Sequence, residues 1–105
     1  SLDIGRLRSA VEAGRIQWQR HALERMAERG IPQALVKSTL MTGERIEDYP
    51  DAYPLPAALF VGRSQGRVLH VVAACDSAGS VAYIVTAYEP DLERFEPDFW
   101  TRRKK

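Results

Sequence analysis

The sequence predicts an α+β domain, with N-terminal helices packed on one face of an antiparallel β-sheet of about four strands. Residues 2 to 42 repeat their apolar side chains at helical spacing. The second half holds short runs rich in β-branched and aromatic residues, each bounded by Gly, Pro or Asp. Helices followed by hairpin-joined strands are the element order of an α+β fold. With 105 residues, 45% hydrophobic and 28% charged, the chain reads as a single domain over 1–105 whose core needs no disulfide or metal staple.

Residues 2–13 read as a first helix, because Ile4, Leu7 and Val11 recur at i, i+3 and i+7 and Gly14 can stop it. "RIQWQ" alternates Ile16 and Trp18 as a short extended segment. A second helix spans Arg20 to Arg29 and ends at Gly30. Pro32 suits a first helical position, so 32–42 form a third helix that buries Leu35, Val36, Leu40 and Met41 and stops at Gly43. "RIEDY" before Pro50 is an edge strand, and "PAALFVG", "RVLHVVAAC" and "VAYIVTAY" are the other three. "DYPDAYPLP" is a loop within the domain.

In "RSQGR" and "DSAGS" a glycine stands where a type I turn with a following bulge needs a left-handed residue. That three-residue connection sets Arg63 opposite Arg67 and Asp76 opposite Ser80, and strand alternation extends the pairing. One face then carries Leu59, Val61, Leu69, Val71, Ala73, Val81, Tyr83 and Val85, and the helices are expected to cover it. The other carries Phe60, Gly62, Val68, His70, Val72, Ile84, Thr86 and Tyr88, with His70 across from Thr86 and Tyr88 on the diagonal. Polar groups on an apolar sheet describe a shallow cleft as well as an amphipathic rim.

Net charge is only +1, which excludes a nonspecific coat for a polyanion. One cysteine and two histidines supply neither an internal disulfide nor a zinc site, and no metal or other cofactor is expected. No membrane-length apolar run and no leader stand out, so the expected location is cytoplasmic. Positive charge is local: His21, Arg25 and Arg29 recur every fourth residue on nearly one face of the second helix. Such a face is either a solvated surface, with Arg25 pairing to Glu28 or Glu47, or an anion site.

The series "RHALERMAERGIP", "LMTGERIEDYPDAYPLPAALFVG", "RVLHVVAA" and "VAYIVTAYEPD" resembles the bacterial family known as domain of unknown function 4258 (DUF4258), over about residues 16–102. That family is grouped with the RelE and BrnT toxins in a ribonuclease-like superfamily with a helices-then-antiparallel-sheet core. The resemblance implies metal-independent RNA cleavage between the sheet and the preceding helix, by a toxin-like endoribonuclease silenced by an antitoxin protein. Carried over by position, His21, Arg25, His70 and Tyr88 are the candidate catalytic residues, and Arg29, Thr86 and Arg102 the candidate substrate-binding ones.

Cleavage without a metal needs a base for the 2′-hydroxyl, cations around the phosphorane and an acid for the leaving 5′-oxygen. Histidine, whose ordinary pKa is near 6.5, serves as base or acid. Arginine forks across phosphate oxygens, and tyrosine donates or stacks on a base. The alternative is a non-catalytic protein-interaction module on the same fold, its open edge strand pairing with a partner. An enzyme on a small phosphorylated ligand lacks a Gly-rich phosphate loop. RNA and an antitoxin are the expected partners, no membrane is, and a homodimer remains open.

Overall fold

The computed structural model describes residues 2–64, 66–76, 78 and 80–90. The fold is α+β. Its elements are α1 (Ile4–Glu12), β1 (Ile16–Trp18), α2 (Arg20–Arg29), α3 (Gln33–Thr42), β2 (Glu44–Tyr49), β3 (Ala57–Ser64), β4 (Arg67–Cys75) and β5 (Ala82–Tyr88). The helix boundaries have local causes. The Asp3 side chain accepts from the Arg6 backbone N–H at 3.1 Å and starts α1. Gly30, at φ 65°, ends α2 with the Ile31 N–H returning to the Met26 carbonyl at 2.9 Å, and Ile31 is buried beyond it. Pro32 caps α3 from outside instead of opening it, since its backbone is extended.

The sheet has five strands in the order β1-β5-β4-β3-β2, one more than expected, and it is mixed. The "RIQWQ" segment supplies the fifth strand: β1 runs parallel to β5, with Ile16 beside Ala82 and Trp18 beside Ile84. Arg15 fastens this junction twice. Its carbonyl accepts from the Ala82 N–H at 3.0 Å, and its Nε donates to the Ser80 carbonyl at 2.7 Å.

The hairpin register differs from the three-residue expectation. Ser64 pairs with Arg67, so two residues separate the strands, and Gly66 takes φ 75°. Arg63 therefore faces Val68 and not Arg67. Changing a connection from odd to even length reverses one strand's faces relative to its neighbour. Ala58 and Phe60 consequently turn toward the helices, while Leu59 and Val61 turn away with His70 and Val72. At the next hairpin Cys75 pairs with Ala82, and Asp76 does not pair with Ser80 in the ladder. Instead the Asp76 carboxylate accepts from the Ser80 N–H at 2.8 Å. Between Val72 and Ala73 the register shifts, leaving Val85 as an extra residue on β5. Ala82 and Ile84 thus face the helices, while Thr86 and Tyr88 reach the opposite side.

The core lies between the helices and one sheet face. Leu7, Ala10 and Val11 of α1, Ala22 and Met26 of α2, and Leu35, Val36 and Leu40 of α3 meet Phe60, Leu69, Val71, Ala73 and Ile84. Close approach of α3 to β3 depends on Gly62, where a Cβ would lie 3.1 Å from the Thr39 Cα. Thr39 is buried there, and its hydroxyl donates to the Leu35 carbonyl at 2.9 Å. Arg8 satisfies the end of α3, donating to the carbonyls of Leu40 at 2.9 Å and Gly43 at 2.7 Å.

Phe60→Ala is expected to reduce unfolding free energy by about 3–5 kcal/mol in urea titration, because it empties a buried site under the helices. Lys37→Ala, at an exposed position of α3, should stay within about 0.5 kcal/mol of the parent. Small and equal effects would contradict the observed register.

Candidate functional site

The face of the sheet turned away from the helices carries three of the sequence-predicted residues. His70 lies directly across from Tyr88, with ring centroids 5.4 Å apart and planes tilted by 57°. Thr86 sits across from Val72, one pair further along, and not opposite His70. Thr86 and Tyr88 are half-buried, whereas His70 is fully buried beside Leu59 and Val61 on the same face.

Helix α2 presents the other three on the helical side of the sheet. Ala22 and Met26 anchor it in the core, and His21, Arg25 and Arg29 are exposed. Beyond Ile84 the outer edge of β5 has no β1 partner. There Arg29 reaches across, its Nη1 donating to the Ala87 carbonyl at 2.9 Å. His21 and Arg25 lie two turns and one turn before Arg29 on nearly the same helical face. Arg25 approaches Glu28 at 3.7 Å with both side chains more than half exposed, an ion pair that contributes little to stability.

Arg67 locks the far end of α2 in place. Its guanidinium forks onto Glu89, with Nη2–Oε1 2.8 Å and Nε–Oε2 3.5 Å, and Nη1 donates to the Gly30 carbonyl at 2.9 Å. One side chain thus joins the start of β4, the end of β5 and the C-terminus of α2. The glutamate of the "VTAYEP" strand end is a structural ion-pair partner.

A cleft of about 610 Å³ opens on the sheet face away from the helices, at the sheet end opposite the Arg67 junction. Ala57 and Ala74, paired across β3 and β4, form part of its floor, and their small side chains leave its depth. Tyr49 and Tyr83 stand on strands around it, and Tyr53 projects from the loop after β2 with 96% of its surface exposed. The Tyr49 hydroxyl donates to the Glu47 carboxylate. Gln19, at the N-cap position of α2, lines the cleft, and its side chain makes no capping hydrogen bond. His21 follows two residues later.

The six described candidates therefore form two groups. His70, Thr86 and Tyr88 share one sheet face, and His21, Arg25 and Arg29 share one flank of α2. The sheet stands between the two histidines: α2 packs on its helical face while His70 points from the other. Arg102 lies outside the described residues. Among the described residues no group of three or more His, Cys, Asp or Glu is placed to hold a metal ion, and no helix is long and apolar enough to cross a membrane.

Sequence reasoning expected a shallow cleft around His70, Thr86 and Tyr88, but the cleft lies nearer the other end of that face and is lined by none of the three. Its signal was the density of tyrosine and proline in "DYPDAYPLP", read only as a connection, together with Tyr83, assigned to the helix-covered face.

Helices on one face of a mixed sheet, with a tyrosine-lined cleft at one end of the other face, define an α+β domain with a candidate site at that end. The chain belongs to the family described as a domain of unknown function (DUF4258), which matches residues 18–89. Neither the curated proteins nor the solved structures gave a match. The family's span runs from Trp18, the last residue of β1, through β5 and leaves out α1.

Cys75 is buried at the end of β4, where burial first and the charge of Asp76 second push its thiol above the ordinary value. The folded chain thus holds this proton more tightly than the unfolded chain does. Its contribution to stability is intact below about pH 8.5, the ordinary thiol value, and is lost as pH rises through the folded value. Thermal midpoints measured from pH 7 to 10 should fall more steeply for the parent than for Cys75→Ala.

Proposed function

We propose that this chain is a toxin-like, metal-independent endoribonuclease of a bacterial toxin–antitoxin-type system. The exposed flank of α2 would act on the phosphodiester, and the cleft on the sheet face away from the helices would hold the flanking RNA. The observation that carries this reading is continuity: the helix bearing His21 and Arg25 starts at Gln19, which lines the tyrosine-rich cleft. Cations beside aromatic side chains are what single-stranded RNA needs, since phosphates take the charge and unstacked bases take the rings. The resemblance to RelE and BrnT toxins supports the same chemistry.

Of the two histidines, the exposed His21 is the one a substrate reaches, because His70 has no accessible surface. In the proposed step His21 takes the proton of a 2′-hydroxyl and the 2′-oxygen attacks phosphorus. The bond from phosphorus to the 5′-oxygen breaks, leaving a 2′,3′-cyclic phosphate and a 5′-hydroxyl that takes its proton from water. Arg25 binds the non-bridging oxygens as negative charge builds on them. Arg29, engaged with the Ala87 carbonyl, holds α2 beside β5 and adds positive potential. His70, closed off from solvent, packs against Tyr88 and has a structural part.

The second reading, a protein-interaction module, is favoured by the apolar lining of the cleft and by the near-neutral charge of the chain. RNA affinity rests on phosphate contacts, and those of the first reading come from one helix. The β2 strand at the sheet edge offers such a partner a backbone to pair with.

Purified chain incubated with single-stranded RNA and a chelator should yield fragments ending in 2′,3′-cyclic phosphate. His21→Ala should slow cleavage at least about 100-fold, with the thermal midpoint unchanged. Uncut RNA, or an undiminished rate in His21→Ala, would remove the enzymatic reading and leave the interaction module.

A further inference from the structure

We infer that the tyrosine-lined cleft binds a small organic cation, an ammonium group carried on an apolar body. This goes beyond the RNA reading and does not depend on it: such a ligand would compete with a strand for the cleft and leave the α2 flank untouched.

Strand register lays out the trough. Tyr49 pairs with Ala57, Ala57 with Ala74 and Ala74 with Tyr83, so the four stand in one row across β2, β3, β4 and β5. Three strand spacings of about 4.8 Å put the two tyrosines about 14 Å apart at their backbones, with only methyl groups between them. Tyr53 adds a third ring from the loop after β2, and 96% of its surface is exposed although it lines the cleft. A ring so placed gives the fold little packing and offers its face to a ligand. The cleft holds about 610 Å³, inside the range of about 300–1,000 Å³ that small-ligand sites occupy.

Charge selects what enters. Apart from the tyrosines and Gln19 the lining is aliphatic, and none of the described lining residues is a lysine, arginine or histidine. Arg20 and His21 follow Gln19 in the chain without lining the cleft. Acids border it instead. Glu47 lies two residues before Tyr49 on the same face of β2, and Asp51 is exposed in the loop between Tyr49 and Tyr53. An anion would meet repulsion there and no partner. A cation gains from the carboxylates and from the ring faces, which are the negative end of the aromatic quadrupole. The Tyr49 hydroxyl donates to the Glu47 carboxylate, which enriches its ring in electrons. Aromatic faces for the head group and aliphatic surface for the body are what an alkylammonium requires, whereas a hard metal ion requires oxygen ligands.

The test compares hexyltrimethylammonium, hexanol and hexanesulfonate, which share one apolar chain and differ in head group. Each is titrated into the full chain, and the methyl resonances of Ala57 and Ala74 report site and affinity together. The cation should bind about fivefold more tightly than the alcohol, and the sulfonate more weakly than either. Tyr53→Leu keeps an apolar side chain but removes a ring. It should cut the cation's advantage by about half or more and leave the alcohol's affinity unchanged, and Tyr53→Phe should retain the advantage. Tyr53 is exposed, so both variants fold, which thermal midpoints check. An alcohol that binds as tightly as the cation, an advantage undiminished in Tyr53→Leu, or no shift at the two alanines overturns the site. So does a leucine–lysine hexapeptide that binds where the small cation does not, which would make the cleft a docking surface for a protein. No RNA enters the experiment, so failure of the cleavage reading leaves its outcome standing, and failure here leaves the cleavage reading to its own test.

Discussion

Ser64 opposite Arg67 is the constraint on which the two sides of this molecule depend. With two residues in the connection, the alternation of β3 locks to that of β4 so that Phe60 enters the core beside Val71. The same parity sends Ala57 and Leu59 to the other face. A connection one residue longer would bury Leu59 and Val61 under the helices and turn Phe60 outward. The alanine pair at the floor of the cleft, and hence the cleft itself, follows from that count. Downstream, the extra residue Val85 lets β5 keep Ile84 in the core while returning Thr86 and Tyr88 to the face away from the helices.

Helix α2 is the second organising piece, and its placement is held at both ends. At its start, the parallel pairing of β1 with β5 brings Gln19 to the cleft. Toward its end, Arg29 grips the Ala87 carbonyl and Arg67 joins Gly30 to Glu89. A helix tethered this way keeps a fixed angle to the sheet, so the positions of His21 and Arg25 relative to the cleft are set by the fold. Hydrogen bonds to a charged guanidinium are stronger than neutral ones, and three arginine-to-carbonyl contacts lie on this side of the sheet, counting Arg15 to Ser80.

Separation of the two histidines divides the work of the molecule. Buried against Tyr88, His70 shapes the sheet, whereas His21 stands in solvent beside arginines. Any chemistry at the α2 flank is therefore a matter of one histidine and its cationic neighbours, with water as the remaining proton partner. On the other sheet face, tyrosines and small residues form a broad apolar cleft. Both the catalytic and the purely associative readings use this cleft, and they differ in what the helix beside it does.

Helix and strand positions, the helix stop at Gly30 and the cationic spacing on α2 were legible in the sequence, because each depends on residues within a turn or two of one another. Periodicity, a left-handed glycine and an i, i+4 pattern act locally, so a linear reading captures them. The turn parity was not legible: Gly66 suits more than one connection, and the choice falls to whichever register buries Phe60 against α3. Nor was the β1–β5 pairing, since it joins segments more than 60 residues apart through the entropy cost of a long closure that only the assembled core offsets. Tertiary structure alone decided that His70 meets Tyr88, that the two histidines lie across the sheet from each other, and that Gln19 and three tyrosines surround one cleft. Each of those facts depends on strands and loops distant in the chain being packed at the same time.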